Sequence, residues 1–209
     1  MDNKILDQKL IQYREFFSIE HDFTLNIIPL DNNNTGNFDN FLANMPTPFK
    51  LASESATIDQ AALRPLQTLS GVSGQLVDFL NLQSKKIDLL VGYILSQQDE
   101  EQYRFQGIKF GGGGVKFSAK NIFPVGQMLE IKLFFIDSNC AIYCYGEVIN
   151  VTPVAQDDLE GTSQNQYHHR VIFHFIREED REALVRTSLH EQSKQLQKLA
   201  QHRNQTSDN

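Results

Sequence analysis

The 209-residue sequence predicts an α+β fold, in which an antiparallel β-sheet closes into a small barrel and carries a long coiled-coil helix and a C-terminal helix. Three observations predict it. Between residues 102 and 176, apolar and polar residues alternate with a period of two in short runs separated by loops. Residues 63–98 instead repeat apolar residues at alternating spacings of three and four, and residues 177–200 form a second amphipathic helical pattern. Short strands in series with one apolar face favour a closed sheet, which removes exposed edges.

The N-terminal part predicts a helix, a strand and a short helix in that order. Apolar residues recur near helical spacing over 4–17, and 22–30 alternates as a strand does. A turn-forming stretch at 31–37 separates this strand from a short helix at 38–44.

The heptad segment predicts self-association. With Leu66 at position a and Leu69 at position d, a single seam runs along the helix. At 1.5 Å per residue the segment is roughly 45–50 Å long, more than the width of a small barrel. We therefore expect other copies of the helix to cover the seam, although packing on its own barrel is the alternative. Mixed Leu and Ile at a and d favour more than two strands, so we predict a homotetramer. The predicted interface residues are Leu66, Leu69, Leu76, Leu80, Gln83, Ile87, Leu90 and Ile94.

Five further strands and a helix complete the predicted fold. The strands lie at 102–110, 114–121, 128–137, 140–151 and 169–176. In the last of them, Val171, Phe173 and Phe175 are expected to share one face. The C-terminal helix, 177–200, begins with acidic residues that favour a helix N-terminus.

Composition excludes several classes of protein. The net charge is −7, so no basic surplus favours nucleic-acid binding. We expect no membrane insertion, because no run approaches the roughly 18 apolar residues of a membrane helix, and the N-terminus lacks the apolar core of a signal peptide. Cys140 and Cys144 are four residues apart on one strand and too distant to bond to each other, which favours a reduced, cytoplasmic protein.

Four segments together resemble the PilZ domain family. In order they are GGVKF (113–117), FPVGQMLEIKLF (123–134), YGEVINV (145–151) and RVIFHFIREEDREALVR (170–186). The resemblance implies a six-stranded antiparallel β-barrel that in bacteria often serves as a receptor for cyclic di-GMP. The sequence is similar to an atypical PilZ subtype with an added heptad-bearing helix and tetrameric assembly.

The resemblance also implies a discontinuous domain. Residues 1–31 and 101–203 would form the PilZ-like barrel with its terminal helices, and 32–100 would be a helical insertion for oligomerisation. Residues 204–209 would be a disordered tail.

Both ligand motifs of the family are depleted in this sequence. The D/N-x-S-x-x-G motif would fall on Lys109, Gly111 and Gly114, so its acid or amide and its serine are replaced. Of the R-x-x-x-R motif only Arg14 remains, because Ser18 stands at the second position. The glycine run 111–114 is open to two interpretations, a backbone cradle for phosphate or a bend at a barrel corner.

No other residue pattern indicates chemistry. His168, His169 and His174 are interpreted as surface histidines, since the first and last lie about 20 Å apart along a strand. The cysteines lie in a strand, not at a helix N-terminus that would activate a thiol. We therefore expect no enzyme, no metal and no cofactor.

Two hypotheses follow for function. The first is a non-catalytic bacterial signalling or adaptor protein that self-assembles through the long helix, does not bind cyclic di-GMP by the standard motifs, and has a protein partner that the sequence does not identify. The alternative is a cyclic di-GMP receptor that uses the degenerate residues Arg14, Lys109, Gly111 and Gly114.

Overall fold

A computed structural model shows six strands that close into one antiparallel barrel, as predicted. It describes residues 8–11, 13, 16–31, 35–52, 73–135, 140–154 and 166–207. The strands follow one another around the barrel in the order β1-β2-β3-β6-β5-β4. They are β1 Ser18–Pro29, β2 Arg104–Gly111, β3 Gly114–Ala119, β4 Met128–Phe135, β5 Cys140–Pro153 and β6 Tyr167–Phe175.

Strand β1 closes the barrel by pairing with β2 on one side and β4 on the other. It begins at Ser18, four residues before the predicted start, and Thr24 lies opposite Gln106 and Phe134. A strand from the N-terminal part of the chain is thus an integral part of the barrel. The domain boundaries predicted at 31/32 and 100/101 stay a prediction.

The inward residues of all six strands form the barrel core. Its centre is aromatic: the rings of Phe23, Phe110 and Phe135 pack with centroids 4.5–5.4 Å apart. On β4, the predicted inward residues are buried as expected, namely Leu129, Ile131, Leu133 and Phe135.

The outer face of β4 and β5 is also covered, which the alternation did not predict. Helix α1, Phe38–Asn44, lies on it, followed by helical residues 47–52. Phe41 stacks on Tyr143 with ring centroids 5.6 Å apart, and Phe49 packs near Phe134. The face is therefore a second apolar cluster, formed by Phe41, Met45, Phe49, Leu95, Met128, Phe134, Tyr143 and Tyr145.

Phe175 belongs to this outer cluster, so the prediction that it shares a face with Val171 and Phe173 is wrong. The β5–β6 register shifts between Tyr145 and Gly146, which face Phe175 and Phe173 respectively. The extra residue on β6 reverses the side-chain alternation at that point.

Helix α2, Ser73–Ser96, carries most of the predicted heptad seam. The predicted residues 63–72, with Leu66 and Leu69, lie outside the described residues. Leu95 is buried in the outer cluster and Val91 packs against it, so the C-terminal end of α2 is attached to the barrel.

A hydrogen-bond network fixes the junction between α2 and β2. The buried Asn26 side chain accepts from the Glu100 N–H at 2.7 Å and donates to Asp99 Oδ1 at 2.8 Å and to the Glu100 carbonyl at 3.2 Å. Lys132, itself buried, donates to Glu100 Oε1 at 3.0 Å. The end of α2 therefore has a defined position relative to β1 and β4.

Helix α3, Glu178–Ser207, follows β6. Arg177 donates to the buried Asp180 at 2.7 Å and to the carbonyl of Phe49 at 3.1 Å, which ties the start of α3 to residues 47–52. The helix continues through residues 204–207 of the predicted tail, and the disorder of that tail stays a prediction. No Gly or Pro interrupts the sequence from 178 to 207.

Candidate functional site

The N-terminal segment lies on the outside of β5, β6 and the β2–β3 turn. Residues 8–11 and 13 are helical, and Lys9 Nζ contacts both carboxylate oxygens of Glu147 at 2.6 Å. Tyr13 packs on Ile149 and Ile172. This segment forms a wall beside the turn that carries the glycine run.

The glycine run is a covered hairpin, not an open phosphate cradle. A Cβ at Gly114 would lie 2.1 Å from the Val171 carbonyl oxygen, and one at Gly111 would lie 2.2 Å from the Phe17 carbonyl oxygen. These glycines are therefore required by the close approach of neighbouring backbone. This packing supports the structural interpretation of the run.

The side chains of Arg181, from α3, and Phe16, which precedes β1, cover this turn. Arg181 of α3 donates to the carbonyl of Gly112 and lies over the ring of Phe16, 5.2 Å from its centroid. Added methyl groups at Gly112 and Gly113 would meet the same phenylalanine ring at 2.9–3.0 Å. A ligand could reach the turn's backbone only if Phe16 moved.

Next to this turn, four charged residues form a row across four adjacent strands. In the barrel register Glu20 faces Lys109, Lys109 faces Lys116, and Lys116 faces Arg170. All four side chains line one cavity of about 270 Å³, together with Tyr13 and Ser18. Three cations and one carboxylate thus line a recess in an otherwise acidic protein, which favours a bound anion.

Burial and mutual repulsion shape the electrostatics of this cavity. Burial lowers the pKa of Lys116. The positive charges of Arg170 and Lys109 lower this pKa further, and the negative charge of Glu20 raises it. Burial raises the pKa of Tyr13 to about 12, while the charge of Arg170 lowers it. The Tyr13 hydroxyl is buried and has no hydrogen-bond partner among the described residues.

The structure brings together only part of the predicted ligand site. Lys109 lines the cavity, Gly111 and Gly114 belong to the covered hairpin, and Arg14 lies outside the described residues. Lys116 and Arg170 join Lys109 instead. Their outward positions are visible in the strand alternation, but their adjacency depends on the strand order β2-β3-β6, which alternation does not give.

A second candidate site is the exposed apolar surface of α2. Among the predicted seam residues, Leu76, Ile87, Leu90 and Ile94 are 47–64% exposed, and Leu80 and Gln83 are half-buried. A second apolar strip, which sequence reasoning missed, lies on the neighbouring face of the helix: Phe79, Leu82, Leu89 and Tyr93, each 52–66% exposed. With Lys86 between them, these residues repeat the same spacing of three and four.

Cys144 and one histidine are part of the core, and the partly buried Cys140 packs against it. Burial raises the pKa of Cys140 to about 12 and that of Cys144 well above its usual value, so neither is a thiolate near neutral pH. The prediction that His169 lies on the surface is wrong. It is fully buried, stacks on Phe117 with centroids 4.9 Å apart, and its Nε2 accepts from the Phe123 N–H at 3.1 Å.

Two classes of feature are absent from the part of the chain that the structure describes. Those residues include no helix long and apolar enough to cross a membrane. They also include no group of three or more His, Cys, Asp or Glu side chains placed to hold a metal ion.

Comparison with known protein families decides what this barrel is. A sequence model of the PilZ domain matches residues 82–189, just over half of the chain. The chain belongs to the PilZ domain family. The resemblance seen in the sequence is thereby confirmed. The match starts within α2 and ends within α3, so β1 of this PilZ barrel lies outside the matched segment.

Solved structures resemble the chain to different extents. A tetrameric PilZ-domain protein from Xanthomonas campestris, self-assembled via a helical bundle, aligns over 90% of this chain and 96% of its own, with 15% identity and a TM-score of 0.52. The PilZ domain of Escherichia coli YcgR with cyclic di-GMP aligns over 49% of this chain and 83% of its own, at 12% identity and a TM-score of 0.40. The motility inhibitor MotI of Bacillus subtilis covers 44% of this chain and 42% of its own, at 15% identity and a TM-score of 0.38. No curated protein matches the chain.

Proposed function

We propose that this PilZ-domain protein is a non-catalytic bacterial signalling adaptor that assembles into a homotetramer through α2. One observation carries the proposal. Eight large apolar side chains on α2, listed at the end of this sentence, are each 47–66% exposed in the single chain: Leu76, Phe79, Leu82, Ile87, Leu89, Leu90, Tyr93 and Ile94. So many exposed apolar residues on one helix mark an interaction surface.

The energy available from covering these residues is comparable with the cost of association. Full burial of a large apolar side chain stabilises by about 1.5–3 kcal/mol, and each of these is roughly half exposed. Covering all eight would contribute on the order of 10 kcal/mol per chain, comparable with the roughly 4–15 kcal/mol that association costs. Leaving them in water would forgo that contribution.

Two apolar strips on one helix favour more than two copies. At 3.6 residues per turn, the strip of Phe79, Leu82, Leu89 and Tyr93 is centred about 100° from the predicted seam. A two-stranded coiled coil would cover the seam and leave the second strip in water. In a four-helix bundle each helix contacts two neighbours, so both strips are covered. The helical bundle of the Xanthomonas protein, which aligns over nearly its whole length, supports this arrangement.

The attachment of α2 to the barrel supports an adaptor role. The Asn26 network and the Lys132–Glu100 pair fix each barrel relative to the end of its helix. A bundle would therefore present four barrels in a defined arrangement, and binding to a protein partner would gain avidity from multivalency. Burial raises the pKa of Cys140 and Cys144, so neither thiol is a nucleophile near neutral pH.

The test of self-assembly is a double substitution in the seam, Ile87→Gln with Leu90→Gln. Placing two polar amides in a dry interface is expected to dissociate the bundle, because their hydrogen-bonding groups would lose water without gaining partners. Sedimentation velocity should show the change to a smaller species. The control is Lys85→Gln, at an exposed position of the same helix outside both strips, which should keep the mass of the wild type. Unaltered mass of the double variant would overturn the proposal.

The second candidate is a cyclic di-GMP receptor that uses Arg14, Lys109, Gly111 and Gly114. The convergence of Lys109 with Lys116 and Arg170 favours it, because two phosphates need charge-assisted donors. Phe16 covers the glycine turn, and for this reason the cyclic di-GMP receptor ranks second among the two candidates. Calorimetric titration with cyclic di-GMP decides the matter: absence of both heat and a rise in melting temperature would end this candidate.

A further inference from the structure

The charged row on β1, β2, β3 and β6 places like charges opposite one another, and a bound anion would neutralise them. Lys109, Lys116 and Arg170 lie directly opposite one another in register on three successive strands. Like charges in direct cross-strand opposition destabilise a sheet. Glu20 faces Lys109 at one end only, and no ion pair joins it to any of the three cations within the described residues.

A second, independent observation points into the same cavity. Tyr13 is 9% exposed and lines the cavity, and its hydroxyl has no partner among the described residues. The hydroxyl is near enough to Arg170 for that charge to lower its pKa. A buried hydroxyl without a partner costs about 1–3 kcal/mol. An acceptor atom placed between Tyr13 and Arg170 would satisfy both groups.

We propose that this cavity binds a small phosphate dianion, as the free ion or as a phosphomonoester of mononucleotide size or smaller, held by Lys109, Lys116, Arg170 and the Tyr13 hydroxyl. The site goes beyond the proposed assembly and does not depend on it.

Charge and size both select this class of ligand. Three cations less the carboxylate of Glu20 leave two positive charges, and a phosphomonoester carries about −1.5 to −2 at neutral pH. The cavity, at about 270 Å³, is smaller than the roughly 300–1,000 Å³ of common small-molecule sites. Phe16 and Arg181 cover the adjacent glycine turn, so a cyclic dinucleotide could extend onto it only if Phe16 moved.

The roles of the lining residues follow from their chemistry. The Lys109 and Lys116 ammonium groups act as point charges, and the Arg170 guanidinium can donate two parallel hydrogen bonds to phosphate oxygens. The Tyr13 hydroxyl donates to a third oxygen. Glu20 repels a second dianion and favours a ligand that keeps its phosphate away from β1.

The experiment is isothermal titration calorimetry of the full chain with three probes: inorganic phosphate, guanosine monophosphate and cyclic di-GMP. One site per chain is expected for phosphate or the monophosphate, and tighter binding of the monophosphate would identify a phosphomonoester as the ligand. Lys116→Gln is expected to weaken binding at least about tenfold, because it removes a charged hydrogen bond. The control Lys120→Gln removes an exposed charge at the end of the same strand and should leave the affinity unchanged.

The unliganded variants supply a second measurement. Lys116→Gln should raise the melting temperature without ligand, because it relieves the opposed charges, and should reduce the rise that phosphate produces. Tyr13→Phe should raise the melting temperature without ligand, because it removes the unpaired buried hydroxyl, and should weaken binding severalfold. The sedimented mass should be unchanged in both, so loss of this site is distinguishable from loss of assembly.

Three results would overturn the proposal. One is no binding of phosphate or the monophosphate at millimolar concentration. Another is equal weakening in the Lys120→Gln control. The third is tighter binding of cyclic di-GMP that also requires Lys116 and Tyr13, which would assign the cavity to a dinucleotide.

Discussion

Replacement of Asn26 by Ala should loosen the joint between α2 and the barrel. Asn26 is 1% exposed, and its side chain makes three hydrogen bonds, to the Glu100 N–H, the Glu100 carbonyl and Asp99. A net hydrogen bond contributes about 0.5–1.5 kcal/mol, and a buried backbone group left without a partner costs about 1–3 kcal/mol. The expected loss is therefore about 2–4 kcal/mol in the free energy of unfolding.

Urea unfolding followed by circular dichroism measures this loss. Wild type and variant must be compared at equal protein concentration, because association of the native state raises the apparent stability. The matched control is Asn81→Ala, at an exposed position of α2, where the change should stay within about 0.5 kcal/mol. A loss below about 0.5 kcal/mol for Asn26→Ala would refute the view that this network fixes the helix to the barrel.

Two further predictions concern the glycine turn and the buried histidine. Gly114→Ala should lower the free energy of unfolding by more than about 3 kcal/mol, because its Cβ would lie 2.1 Å from the Val171 carbonyl oxygen. Gly74→Ala, where α2 leaves open space for a Cβ, should raise it by up to about 1 kcal/mol in the same urea assay. Burial lowers the pKa of His169 in the folded state, so the unfolded state binds more protons, and stability should fall as the pH drops below 6.5. Urea midpoints at pH 5 and pH 7.5 should differ more in wild type than in His169→Gln; an equal difference would contradict the assignment of the pH dependence to this side chain.

Local sequence pattern was sufficient for the strands and for the helix over 73–96. Every predicted strand from residue 102 onward is present, because inward residues such as Leu129 and Ile131 alternate with a more polar neighbour along part of each strand. Alternation failed where a second layer covers the sheet. Tyr143 and Phe134 point outward from the barrel, yet α1 and residues 47–52 cover them, and nothing in the spacing of β4 or β5 shows that another element lies there.

For the candidate sites too, the sequence shows the local features but not those that depend on contacts between distant segments. The glycine run was visible in the sequence, but its cause, the approach of Phe16, Phe17 and Val171, depends on contacts between distant segments. The cationic row was not predicted, because Lys116 and Arg170 become neighbours only when β3 pairs with β6. The second apolar strip on α2 could have been found, since it repeats the three–four spacing at an offset from the seam.

The most direct measurement of the central claim is the mass of the wild-type chain by sedimentation equilibrium across a micromolar dilution series. A bundle of four chains of 23.9 kDa predicts about 96 kDa. A mass of one chain throughout the series would show that the exposed apolar surface of α2 does not join copies of this protein, and the account of its assembly would be wrong.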